Sequence, residues 1–203
     1  MINNKGYHDE VMRDFGGYIM ENKKHTYKDS LKELIPYAVI IMVVVLIRTF
    51  LVTPIKVNGT SMEGTLHDGD TMILNKIKYK VSDIKRFNIV VIKTSDSYLI
   101  KRVIGLPGEK IKYEIKNNTG ILYINGKKVE ESFINDDVKS KTCNNDSELC
   151  KDGITIPNNY YFVMGDNRGD SIDSRIIGNI DIKNITGTTK LVIFPIKDFG
   201  IVK

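Results

Sequence analysis

The sequence predicts a mostly β protein, its antiparallel sheets curled into a barrel-like domain, behind one N-terminal transmembrane helix. Three observations carry that expectation. Leu34–Val52 is the only long apolar run. Every apolar run after it is short and set off by turn residues. Tight hairpin turns of the Asn-Gly kind join some of these runs.

Composition bounds the rest. At 203 residues there is room for one domain plus an anchor or tail. With 41% hydrophobic and 27% charged residues, the chain is neither disordered nor a polytopic membrane protein. Two cysteines exclude a disulfide-dense scaffold, and three histidines make a multi-histidine metal centre a poor fit. The net charge of +5 is too mild to argue for nucleic acid, and neither a nucleic-acid partner nor a cofactor is expected. Residues 1–33 hold six basic and six acidic residues, so the excess lies beyond them.

Residues 1–33 show mixed charge and no clear periodicity, and read as a cytoplasmic tail. Residues 34–52 follow as LIPYAVIIMVVVLIRTFLV, with Arg48 the only charge. About 20 apolar residues span a bilayer, and an arginine near the end can reach the headgroups. The run starts too far from the N-terminus for a signal peptide, and no small-x-small site follows it. A buried core helix would need protein on every side, since the run has no polar face. Lys23, Lys24, Lys28 and Lys32 precede the span, whereas Lys56 stands alone between Arg48 and Lys76. The positive-inside rule therefore predicts a single-pass protein of the cell membrane. Its N-terminus is cytoplasmic, and residues 53–203 form an extracytoplasmic β domain.

In that domain strands are expected at Thr71–Asn75, Ile89–Ile92, Tyr98–Ile104, Lys110–Ile115, Ile121–Ile124, Tyr160–Met164 and Lys190–Phe194. They are rich in Ile, Val and Tyr, bounded by Gly, Pro, Asn or Asp, and too short for helices. Asn117–Gly120 and Asn125-Gly126 read as hairpin turns. Residues 113–158 hold most of the turns and read as a non-catalytic excursion from the main sheet. Cys143 and Cys150 bracket a polar loop within it, and either a disulfide or two free thiols fits that spacing.

Three clusters carry chemistry. The first, VNGTSMEGTL at 57–66, sets Ser61 in a glycine-flanked turn that can present a hydroxyl and a backbone N–H to a ligand. Alone, it would pass for an ordinary turn, and it is not the G-x-S-x-G elbow, because Glu63 stands two after the serine. The second, KRVIGLPGE at 101–109, places Lys101 inside an apolar strand, on one face with Leu99 and Val103. An edge lysine that blocks strand pairing is the plainer reading. A desolvated lysine, however, has a lowered pKa and can act as a general base. The third, GDNRGDSIDSR at 165–175, directly follows a strand and reads as a hydrogen-bonded loop of alternating Asp and Arg. It lacks the spacing of an EF-hand.

A serine nucleophile needs a base. Beyond the anchor the only histidine is His67, which has no evident orienting acid, so a Ser-His-Asp triad does not fit; Ser–Lys is a recognised variant. An ordinary lysine is neutral in only about one molecule per thousand at neutral pH. Lowering its pKa by two to three units costs roughly 3–4 kcal/mol, which an apolar surround and a hydroxyl partner can supply.

Together, in this order, the clusters resemble the three motif boxes of the bacterial type I signal peptidases. That resemblance implies a membrane-anchored serine endopeptidase that cuts signal peptides from exported preproteins, after small residues at −1 and −3. It implies Ser61 as nucleophile and Lys101 as base, with the Ser171 hydroxyl orienting the lysine. Asp173–Arg175 would be a structural ion pair, and Asp166 would support Arg102. The Ser61 N–H would form part of the oxyanion hole. Gly59 lacks the hydroxyl that some members place there, which leaves a water or Thr60 to complete it. Gly64 stands where members usually carry Pro. An extended substrate would pair with strand edges near Ile55–Val57 and Tyr98–Ile100, placing Ile55, Val57, Tyr98, Leu99 and Ile100 at the binding site. A non-catalytic anchored protein would be expected to lack Ser61 or Lys101. A self-cleaving repressor would need a DNA-binding helical domain in place of the anchor. The eukaryotic-type signal peptidase would have His at position 101.

Overall fold

The computed structural model describes residues 27–50, 52–76 and 84–202, and it divides the chain into two compact units, Met1–Val44 and Val45–Lys203. Helix α1 (Tyr27–Phe50) contains the apolar run from Leu34 to Phe50, whereas Val52, expected to end the anchor, begins a strand instead; residues 32–46 of the helix are all exposed. Among the described residues no helix is long and apolar enough to cross a membrane. The described apolar side chains of α1 run only from Leu34 to Leu46, short of the about 20 that a bilayer demands. The span expected over 34–52 continues into positions whose side chains lie outside the described residues, and so does the tail up to residue 26.

The rest is antiparallel β structure in two sheets, the larger one curled. The strands are β1 (Val52–Lys56), β2 (Thr71–Asn75), β3 (Ile89–Lys93), β4 (Tyr98–Gly105), β5 (Lys110–Lys116), β6 (Thr119–Ile124), β7 (Lys127–Val129), β8 (Ile154–Thr155), β9 (Tyr160–Met164), β10 (Ile180–Asp181), β11 (Ile185–Phe194) and β12 (Gly200–Ile201). The larger sheet runs β1-β2-β11-β3-β4-β9-β10, with β12 beside β11. The smaller runs β7-β6-β5-β8, and with helices α2 (Asp136–Lys139) and α3 (Glu148–Lys151) it accounts for residues 110–155. A further short helix, α4 (Ser174–Ile177), follows β9.

Strand β11 is longer than the apolar signal Lys190–Phe194. Its first half, ITGTT, reads as polar, yet it lies between β2 and β3, and Thr188 and Thr189 are buried there. Register shifts along β11 bend the strand and help curl the sheet. The hairpin turns behave as their residues dictate: Asn117, Asn118, Asn125 and Gly126 all take positive φ, as a type I′ turn requires.

Three apolar clusters fill the β unit. Val57, Met62, Leu66, Met72, Ile89 and Val192 pack beneath the serine turn, with Ile55 and Ile100 against them. Leu99 packs against a second cluster that contains Val90, Ile92, Val103, Tyr161 and Val163. Ile104, Ile111, Tyr113, Phe162 and Met164 join the two sheets in a third. The serine turn and the start of β4 are thus held over packed core. Cys143 and Cys150 form a disulfide at the edge of the third cluster.

Candidate active site

Ser61 sits in the turn between β1 and β2. That turn is fixed by its own polar residues. The Gly59 N–H donates to Asp68 Oδ1 at 2.7 Å, and the His67 N–H to Asp70 Oδ2 at 2.9 Å. Met62 and Leu66 anchor it from below, both essentially buried. Gly64 has φ +95°, a conformation closed to proline, so the turn here is not one that proline could make.

Lys101 lies on β4 with 2% of its surface exposed, and its Nζ is 2.6 Å from Ser61 Oγ, the amine donating. Burial lowers the lysine pKa. Arg175 lowers it further, while the carboxylates of Asp173 and Asp166 oppose the shift. The Ser61 N–H has no acceptor among the described residues, so it is open to an incoming carbonyl oxygen. The Thr60 hydroxyl is not: it donates to Asp170 Oδ2 at 2.7 Å.

Two ion pairs frame this contact, the first fully buried and the second with Arg175 partly exposed. Arg102 binds Asp166 through Nε at 2.9 Å and Nη2 at 2.6 Å, and donates to the Phe87 carbonyl at 3.0 Å. Thr65 donates to the same carboxylate at 2.6 Å, which ties the serine turn to the loop after β9. Asp173 caps α4 and takes two 2.8 Å bonds from Arg175, plus one from the Gly165 N–H at 2.9 Å. Burial alone would raise the Asp173 pKa, but the Arg175 guanidinium and the Gly165 N–H hold it below the usual range.

Ser171 differs from expectation. Its hydroxyl is buried and makes no hydrogen bond of good geometry, either to Lys101 or to the nearby Asp173 carboxylate. It packs instead against Gly165, where a Cβ would strike both Ser171 Oγ and the Ser61 carbonyl. In this geometry the hydrogen bond of Lys101 goes to Ser61 and is not relayed through Ser171.

Ser61 and Lys101 open into a groove of about 800 Å³. Ile55, Val57, Tyr98, Leu99 and Ile100 line it together with Met62, Leu74 and Val91. Strand β1 ends the larger sheet, leaving one edge unpaired among the described residues. The first half of β4 is also open on one side, because β9 pairs only with Arg102, Val103 and Gly105. Residues of both strands thus line a mostly apolar groove that also takes in Ser61 and Lys101. Among the described residues one group has the chemistry for a cation, His67, Asp70 and Asp198, whose ligand atoms lie within 4.8 Å of one another. None of the three bonds to Ser61 or Lys101.

Sequence reasoning missed one feature beside the site. Arg168, on the same loop as Asp166, is fully buried in an ion pair with Glu131, and also donates to Tyr113 Oη at 3.2 Å, Thr142 Oγ1 at 2.9 Å and the Gly165 carbonyl at 3.2 Å. Burial raises the Tyr113 pKa. Glu131, Tyr113 and Thr142 come from the smaller sheet and its loops, 26 to 55 residues away along the chain, and no short-range pattern signals them.

Comparison with known proteins gives a consistent result. A family model described as signal peptidase, peptidase S26, matches residues 31–194. A signal peptidase I of Bacillus amyloliquefaciens is 41% identical over 181 residues, which is 87% of this chain and 93% of that protein. Signal peptidase IB of Staphylococcus aureus (strain N315) is 37% identical over 183 residues, 85% of this chain and 93% of that protein. A solved signal peptidase I from Enterococcus faecalis V583 is 30% identical, with a TM-score of 0.41, and covers 52% of this chain and 96% of that one.

Proposed function

The chain belongs to the signal peptidase family, peptidase S26, and from that premise we propose that it cleaves the signal peptides of exported preproteins with Ser61 as nucleophile and Lys101 as general base. The observation that carries this reading is the 2.6 Å contact between the buried Lys101 amine and Ser61 Oγ in the groove. A buried amine without a carboxylate in direct contact favours its neutral form, which is the form that accepts a proton. When Ser61 Oγ attacks the scissile carbonyl, its proton passes to Lys101 Nζ. The carbonyl oxygen, now anionic, meets the free Ser61 N–H. The ammonium then protonates the leaving amine, and the acyl group stays on Ser61. Lys101, neutral again, takes a proton from a water whose oxygen attacks the ester carbonyl; the bond to Ser61 Oγ then breaks, Lys101 returns the proton to Oγ, and the signal peptide leaves as a carboxylic acid.

The substrate enters as an added strand between the open edges of β1 and β4, where backbone hydrogen bonds hold it and alternate side chains face the groove. Small residues at −1 and −3 fit beside Ile55, Met62, Leu99 and Ile100, because a bulky side chain at −1 would hold the scissile carbonyl away from Ser61. Detergent-solubilised full chain incubated with a preprotein should release a mature protein whose new N-terminus follows such a residue. A cut elsewhere, or none, refutes the reading.

The same assay run across pH reports the base. Lys101 must be deprotonated in the free enzyme, so kcat/KM rises as pH passes through its pKa. Burial depresses that pKa, so the acidic limb should lie below the ordinary value of about 10.4. A rate flat from pH 5 to 9, with chemistry shown to be rate-limiting, would exclude lysine as the base.

The exposed apolar residues of α1 support membrane attachment through residues 34–52, and the lysines before Leu34 support a cytoplasmic N-terminus. Protease added to intact spheroplasts should then digest the β unit. Digestion of the N-terminal tail alone would invert the topology.

A further inference from the structure

Residues 110–155 lie outside the groove, yet they reach the loop after β9 through Tyr113, Glu131, Lys141 and Thr142, and of these four Thr142 alone bonds both Arg168 and Arg175. Its hydroxyl accepts from Arg168 Nη1 at 2.9 Å and its carbonyl from Arg175 Nη1 at 3.1 Å. The same Nη1 of Arg175 donates to the Arg168 carbonyl at 2.7 Å. Thr142 therefore touches both arginines, alongside Glu131 and Tyr113 on Arg168 and the Lys141 carbonyl on Arg175. Arg168 fixes Gly165 through its carbonyl, and Arg175 fixes Asp173 with two 2.8 Å bonds. Thr142 is itself 1% exposed and directly precedes Cys143, whose disulfide to Cys150 closes the following loop.

We propose that Thr142 is a positioning residue for cleavage: secured by the Cys143–Cys150 loop, it keeps Arg168 and Arg175 in place and thereby fixes Asp173 beside Lys101. This rests on the Ser61–Lys101 reading. It assigns the smaller sheet a part in catalysis, through the orientation of charge around the base. The charged groups that act on Lys101 are Asp173 and Arg175 from the α4 end, and Asp166 from the loop after β9. Asp166 stays neutralised by Arg102, which does not depend on Thr142. Arg175 and Asp173 act on the amine in opposite senses, so if Arg175 swings away, Asp173 is left unbalanced and the ammonium form is favoured.

The test uses the full chain in detergent, with a preprotein as substrate. Thr142→Val keeps the shape and the backbone carbonyl that Arg175 binds, but removes one acceptor of Arg168, so it reaches Arg175 through the Arg168 carbonyl. Thr142→Ser keeps the hydroxyl. Mild reduction of the wild-type disulfide loosens the loop without any substitution. Thr142→Val and the reduced enzyme should both move the acidic limb of kcat/KM upward by about half a unit or more, a loss of about threefold or more at pH 7. KM should change little, and Thr142→Ser should restore the wild-type limb. A change in melting temperature with the limb unmoved, in Thr142→Val or, should that variant not fold, in the reduced enzyme, would make the residue merely structural and overturn the proposal. A wild-type profile with no acidic limb would instead overturn the dyad, and this inference with it.

Discussion

Ser61→Ala and Lys101→Met should each reduce preprotein cleavage at least about a thousandfold while leaving the β unit folded. The two side chains share one 2.6 Å contact and act as one chemical unit. Without the hydroxyl there is no nucleophile, and without the amine the hydroxyl keeps its proton. Losing either removes the whole acceleration that the pair supplies, so the double variant should be no worse than the singles. Folding should survive both changes. Ser61 lies on a turn whose bonds run through Gly59, Asp68, Asp70 and its own backbone, and alanine leaves all of these intact. Methionine matches the lysine stem and removes an amine that is costly to bury. Activity within tenfold of wild type in either variant, with an unchanged melting temperature, would dispose of the dyad.

The sequence made β2 and β9 legible as short apolar runs bounded by turn residues, and both begin and end where those runs do. It hid β7, β8, β10 and β12, which have only two or three residues and no period to detect. It also hid the polar half of β11, whose threonines are buried by neighbours on both sides. At the site, Asp166 with Arg102 and Asp173 with Arg175 were legible as residue types in short motifs. Their pairing brings strand and loop segments 64 residues apart into contact in the first case, and two residues apart in the second. Glu131 was not legible, since it follows KKVE and reads as one more surface acid. It is 2% exposed only because Arg168, 37 residues further on, folds onto it. Thr142 was obscured in the same way. A buried charge announces itself through its partner, and that partner is set by tertiary structure rather than by local sequence.

Asp166→Ala should unfold the β unit at a much lower urea concentration, with a cost of about 3–5 kcal/mol. Arg102 and Asp166 are essentially buried, at 0% and 1% exposure, so neither charge can fall back on water if the other is removed. Alanine would strip the guanidinium of its carboxylate bonds at 2.9 and 2.6 Å, while its contacts with the Phe87 carbonyl, the Thr65 hydroxyl at 3.3 Å and the Phe133 ring supply no opposite charge. The Thr65 hydroxyl would lose its acceptor at the same time. Domain stabilities are commonly 5–15 kcal/mol, so a loss of this size is a large fraction of the total. At a urea slope of about 2–3 kcal/mol per molar, the midpoint should fall by roughly 1–2 M. Activity should fall as well, because Asp166 ties the serine turn to the loop that carries Asp173. The double variant Arg102→Met/Asp166→Leu separates a stranded charge from a lost attraction. It replaces the pair with apolar side chains of similar size and should recover much of the stability that Asp166→Ala loses. A midpoint for Asp166→Ala within about 0.3 M of wild type would show that the guanidinium finds another partner or reaches water. A double variant less stable than Asp166→Ala would show that the pair stabilises the fold outright, beyond keeping a buried charge company.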